Sequence, residues 1–167
     1  MEKFKLENKD KEFPPSLMIH ELGFKYQVAI WALRMHLYGE KETKQVQNQF
    51  ERALPPAASR VAFDSIKGII DAVRCHGKQS LKFNCICKKA VTPDEQLLLS
   101  LMQSIEERDV DGIEKTTGLI VDREGASNLM GAAAGFSFAM DAREGGKAIP
   151  TISSEDILQK IPTTTMH

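Results

Sequence analysis

The chain has 167 residues, enough for one ordinary domain or one domain with tails. Hydrophobic residues make up 42% and charged residues 27%, a globular composition that excludes a chain too polar to bury a core. Lys and Arg number 22 against 23 Asp and Glu, so no global charge directs the protein to nucleic acid, an anionic membrane or a polyacidic partner.

Residues 1–13 read as a charged flexible tail, with four Lys and four acidic residues among the first 12 and no apolar run of the kind a secretory signal needs. The longest uncharged stretch, 125–140, has 16 residues including three Gly and two Ser. A membrane-spanning helix needs about 20 mostly apolar residues. These features predict a cytoplasmic protein without a membrane span. Reducing surroundings would keep Cys75, Cys85 and Cys87 as thiols.

Pro14-Pro15-Ser16 punctuates the start of a first helix that should run to Tyr38 and stop at Gly39, a glycine suited to a helix end. Its periodicity gives two apolar stripes rather than one. Met18, Leu22, Tyr26, Ala29, Leu33 and Leu37 form the first; Phe24, Val28, Trp31, Met35 and Tyr38 form the second. Glu21, Lys25 and His36 occupy one gap between the stripes, and His20, Gln27 and Arg34 the other. A helix apolar on both sides must be central or lie at a subunit interface, and the second stripe predicts a homodimer seam.

A polar helix over 41–53 ends before Pro55-Pro56, and Pro56 opens the next, one-sided helix, which ends at His76-Gly77. Residues 81–87 alternate, with Leu81, Phe83, Cys85 and Cys87 on one face, which predicts a short half-buried strand. Its pairing partner is open: Leu119-Ile120-Val121, a piece of a tail, or the same strand of a second subunit. Thr92-Pro93-Asp94-Glu95 then forms a capping box with Pro at the first helical position. Further helices are expected over 109–121 and 126–143. The stretch 150–167 reads as a short helix, capped by Ser153 and ended by Pro162, with a tail.

Five groups of residues invite a chemical reading. Cys75, His76, Cys85 and Cys87 could supply four ligands to zinc, but their spacing departs from zinc-finger patterns, and cysteines on an inward strand face are commonly plain small hydrophobes. Lys67, Arg74, Lys78, Lys82, Lys88 and Lys89 surround a single acid, Asp71. That cluster could bind phosphate or an acidic partner; it lacks the aromatic platform and motif expected for nucleic acid. Gly131, Gly135 and Ala139 recur every four residues and would admit a close helix, within the chain or in a second subunit. Gly135-Phe-Ser137-Phe-Ala139 lacks the strand and last glycine of a nucleophile elbow, and Asp109-Val-Asp111-Gly112 lacks most ligands of a calcium loop.

The expected architecture is mainly α, with five to six helices around one core over 14–149 and one short β-strand. The expected function is a non-catalytic binding or regulatory module, homodimeric, acting through a helical surface that includes Phe24, Val28, Trp31, Met35, Tyr38, Gly131, Gly135 and Ala139. A zinc-supported module built on Cys75, His76, Cys85 and Cys87 is the alternative. A small-molecule enzyme with a pocket drawn from His20, Glu21, Arg34 and His36 is the third reading.

Overall fold

A computed structural model of the protein describes residues 17–145. The expected tail over 1–13 and the short C-terminal helix capped by Ser153 lie outside the described residues.

Six α-helices account for most of that span: α1 (Phe24–Tyr38), α2 (Glu40–Ala53), α3 (Pro56–His76), α4 (Pro93–Glu107), α5 (Val110–Ile120) and α6 (Ala126–Gly145). A mainly helical fold follows from the apolar periodicities along the chain, and the helix ends follow from local chemistry. Pro56 stands at the first position of α3, where its missing N–H costs nothing. At α4 the capping box is complete: Thr92 Oγ1 accepts from Glu95 N at 3.0 Å, and Thr92 N donates to Glu95 Oε2 at 2.8 Å. Arg108 closes α4 in the left-handed conformation, at φ 57°. Asp109 then caps α5 by accepting from Gly112 N at 3.1 Å.

The first helix begins later than its sequence suggests. A three-ten turn, Ile19–Glu21, precedes it, with Met18 N donating to Glu21 Oε2 at 2.8 Å, and the helix starts only after Gly23. The carboxylate of Glu21 thus satisfies a backbone donor that a continuous helix would have used internally.

α1 is the centre of the molecule. Its residues Gln27 to Met35 are all buried. Trp31 meets Phe50 of α2 edge-on at 6.4 Å between ring centroids, and Phe50 in turn packs on Phe136 of α6 at 6.3 Å. α3 and α6 form the most extensive helix pair. Small residues make it possible: a Cβ on Gly68 would stand 3.1 Å from that of Ala132, and one on Gly135 would stand 2.6 Å from Ser65 Oγ. A methyl added at Gly68 would crowd Ala132, and one at Gly135 would force the Ser65 hydroxyl to move.

The alternating segment 81–87 is not a strand. Residues 78–91 form an irregular connection from α3 to α4, and among the described residues pairing at its ends is limited to isolated bridges, Gly77 with Val121 and Met18 with Ala90. Leu119 and Ile120, one proposed partner, belong to α5. A strand needs a ladder to satisfy its backbone. Side chains satisfy much of this one.

Candidate functional site

The 78–91 connection is organised by one ion pair. Arg34 of α1 and Glu95 of α4 have side chains only 1% and 0% exposed, and the guanidinium grips the carboxylate with Nε to Oε1 at 2.7 Å and Nη2 to Oε2 at 2.8 Å. The remaining donors turn to the connection: Nη1 to the carbonyls of Cys85 (3.3 Å) and Lys88 (2.6 Å), and Nη2 to that of Ala90 (2.8 Å). Arginine has five N–H donors, and all five are used. Glu95 also accepts from Asn84 N at 3.1 Å while holding its capping bond to Thr92. Further anchors are Lys82 N to Asp94 Oδ2 (2.7 Å) and Thr92 Oγ1 to the carbonyl of Lys82 (2.6 Å). The first turn of α4 therefore caps its own helix and fixes a loop with the same atoms.

Held in this way, the connection forms one wall of a groove of about 490 Å³. Ile69, Ile70 and Val73 of α3, Leu37 of α1, and Leu81 and Phe83 of the connection supply its apolar lining. Arg74, Gly77, Gln79 and Ser80 complete the lining. Among the described residues no carboxylate, imidazole or thiol lines it, so those residues bring it no group that titrates near neutral pH to serve as an acid or base. The basic cluster read from the sequence belongs to the elements that build this groove. Lys67, Arg74, Lys78, Lys82, Lys88 and Lys89 are all exposed on α3 and the connection.

The four residues considered for zinc are not gathered. Cys75 is exposed and free, and His76 Nδ1 lies 3.3 Å from Asp122 Oδ1. Cys85 and Cys87, expected as thiols, are joined to each other as a disulfide. The turn at 86–87 draws their Cα atoms to 5.5 Å, within bonding range. Among the described residues no group of three or more His, Cys, Asp or Glu is placed to hold a metal ion.

The residues considered for an enzyme pocket are also dispersed. Arg34 is committed to Glu95 and the connection. His36 lines a shallow polar hollow with Glu40, Lys44 and Arg74, and packs edge-on against Phe63 at 6.3 Å. Burial holds its imidazole below the ordinary histidine range, with Arg74 and Lys67 adding to the effect and Asp71 opposing it. Glu21 lines a third hollow beside Tyr26 and Gln103, and His20 is exposed on the three-ten turn.

The expected dimer stripe is mostly interior to the single chain. Val28, Trp31 and Met35 are buried, the first two beside residues of α2 and α6, and only the ends of the stripe reach the surface, at half-buried Phe24 and exposed Tyr38. Arg143 of α6 lies 4.2 Å above the Phe24 ring. A seam through this stripe would have to uncover side chains that the chain itself covers. Gly135 and buried Ala139 likewise serve the intramolecular helix packing, whereas a Cβ on Gly131 would meet open space.

One polar cluster was invisible as a unit in the sequence. Lys25 Nζ of α1 meets Glu106 Oε1 of α4 at 2.6 Å, Asp141 Oδ1 of α6 at 2.5 Å and Ser137 Oγ at 3.2 Å. Tyr26 Oη donates to Glu106 Oε2 at 2.7 Å, and Ser137 Oγ donates to Glu106 Oε1 at 2.5 Å. Burial works against charge on Glu106, but bonds from Lys25, Ser137 and Tyr26 outweigh it and hold its carboxyl below the usual range. Burial likewise opposes the Lys25 ammonium, and the two carboxylates overcome it and raise its pKa. A lysine so held is protonated and cannot serve Ser137 as a base. The cluster ties three helices together.

Compared with known protein families, curated proteins and solved structures, the chain matches none. Among the described residues no helix is long and apolar enough to cross a membrane.

Proposed function

We propose that the protein is a non-catalytic binding module, and that its docking surface is the groove between α3, the end of α1 and the 78–91 connection. The observation that carries this reading is an open apolar groove built from elements on which exposed Lys and Arg outnumber the exposed carboxylates, Asp64 and Asp71 of α3. Its lining suits apolar side chains, and its one hydroxyl, that of Ser80, has no carboxylate or imidazole beside it in that lining to act as a base. The surrounding cations favour an acidic segment of a partner protein with apolar anchors, drawn in by long-range attraction. The buried Arg34–Glu95 pair supports the reading, because it holds the groove wall in shape before any partner arrives, and preorganisation lowers the cost of binding.

The test is fluorescence anisotropy with a labelled synthetic peptide that alternates leucine with pairs of glutamate. Binding should weaken at least tenfold in Arg74→Glu and in Leu37→Asp, both exposed positions, and should fall with added salt. A labelled single-stranded oligonucleotide serves as the competing probe. Absence of peptide binding at roughly 100 μM protein, a binding free energy weaker than about −5.5 kcal/mol, would refute the reading. Tighter binding of the oligonucleotide would refute it too.

A further inference from the structure

The tip of the connection carries chemistry that the groove does not use. Cys85 and Cys87 are disulfide-bonded, and both residues are exposed. The turn that bears them is secured from beneath without the bond. Lys88 N donates to the Cys85 carbonyl at 3.1 Å, and Arg34 Nη1 holds the carbonyls at both ends, those of Cys85 and Lys88. The two sulfurs therefore sit on a scaffold set by backbone bonds and a buried ion pair, so the bond can open and close without losing its place. A bond that closes so short a loop also removes little entropy from the unfolded chain, which makes it a poor staple. Lys88 and Lys89 follow directly and are exposed. Positive charge so near along the chain favours the thiolate form of a departing sulfur.

We infer that Cys85 and Cys87 form a thiol–disulfide exchange site, reduced by small-molecule thiols and reoxidised by small-molecule disulfides. A thiolate attacks one sulfur of the pair; the Cys85–Cys87 bond breaks as a mixed disulfide forms, and the displaced cysteine leaves as a thiolate. A second external thiolate attacks the external sulfur of the mixed disulfide, releasing the other cysteine. Two thiols are oxidised to one disulfide, the pair takes up two electrons, and solvent supplies the protons. The reverse sequence restores the bond. This assignment stands apart from the groove and does not depend on what binds there.

The full chain carrying Cys75→Ser, which removes the exposed third thiol, is equilibrated with mixtures of reduced and oxidised glutathione, alkylated with iodoacetamide and weighed. The expected result is interconversion between chains with no alkyl group and chains with two, reached from both directions. Reduction of the native chain should be several-fold faster than that of the same chain in guanidinium. Lys88→Ala with Lys89→Ala should slow the native reaction about threefold or more, the leaving thiolate having lost its cations. Oxidised and reduced chains should melt together. Two alkyl groups under every oxidising mixture would overturn the assignment, as would slower reduction in the native chain than in the unfolded one. Melting caused by reduction would overturn it as well, making the bond a structural staple.

Discussion

Arg34 shows how much one side chain can organise. It lies in α1 among apolar neighbours, and its charge is tolerable there only because Glu95 and three carbonyls take all of its donors. Replacing a buried ion pair with hydrophobes is often harmless, whereas removing one partner strands the other. Glu95→Ala should therefore cost about 3–5 kcal/mol in chemical denaturation. Arg34→Lys should also destabilise strongly, since an ammonium keeps the charge but cannot span the fork and the carbonyls together. Near-native midpoints for both variants would remove the pair from the centre of this account. Trp31 offers a contrast. Its indole Nε1 is buried without a hydrogen-bond partner among the described residues, so its polar atom contributes nothing that Phe would lose. Trp31→Ala should cost about 3–5 kcal/mol through lost volume, and Trp31→Phe markedly less.

At the scale of elements, α4 begins with the clearest local signal in the chain. Loss of the Thr92 cap alone costs about 0.5–2 kcal/mol in typical helices. Thr92→Ala should fall at the upper end here, because the same hydroxyl donates to the Lys82 carbonyl and so also holds the connection. An unchanged denaturation midpoint would mean that the loop and the cap are independent of it. The cluster that joins α1, α4 and α6 makes stability depend on pH. Glu106 is held below its ordinary 4.5, so its contribution is present above that value and is lost as pH falls through the lowered folded pKa. Lys25 is held above its ordinary 10.5, so its contribution is present below that value and is lost as pH rises through the raised one. The melting difference between wild type and Glu106→Gln should accordingly be widest between these limits and shrink on acidification. A constant difference down to strong acid would detach Glu106 from the stability of the bundle.

For the whole molecule, the decisive fact is that one chain buries every residue of α1 from Gln27 to Met35. Met35→Lys should therefore melt the protein without changing the sedimenting mass of what remains folded. A wild-type dimer that Met35→Lys converts to a folded monomer would show the opposite. Much of this architecture is legible in the residues. Helix periods, Pro56, the Thr92–Glu95 box and the breaks at Gly39 and Gly77 act within a few residues of themselves, so the boundaries of α2 and α3 and the start of α4 can be read locally. The two-striped α1 declares that it must be covered on both sides, and Gly135 and Ala139 declare a close helix contact. Neither declares what supplies the cover. That depended on Phe50 of α2 and on Ser65 of α3 arriving from other parts of the chain.

The alternation over 81–87 promised a strand because period-two apolarity is a local property, whereas a strand is completed only by a neighbour at the right distance. Among the described residues no ladder is supplied. Arg34, Asp94 and Glu95 reach the backbone first, from 51, 12 and 11 residues away along the chain, and the segment becomes a groove wall instead. Pairings between residues so far apart, such as Arg34 with Glu95 and Lys25 with Glu106 and Asp141, leave no periodicity to read. Local chemistry settled which segments are helices. Long-range packing decided which of their polar residues would meet, since an ion is admitted to the interior only where a partner is already waiting.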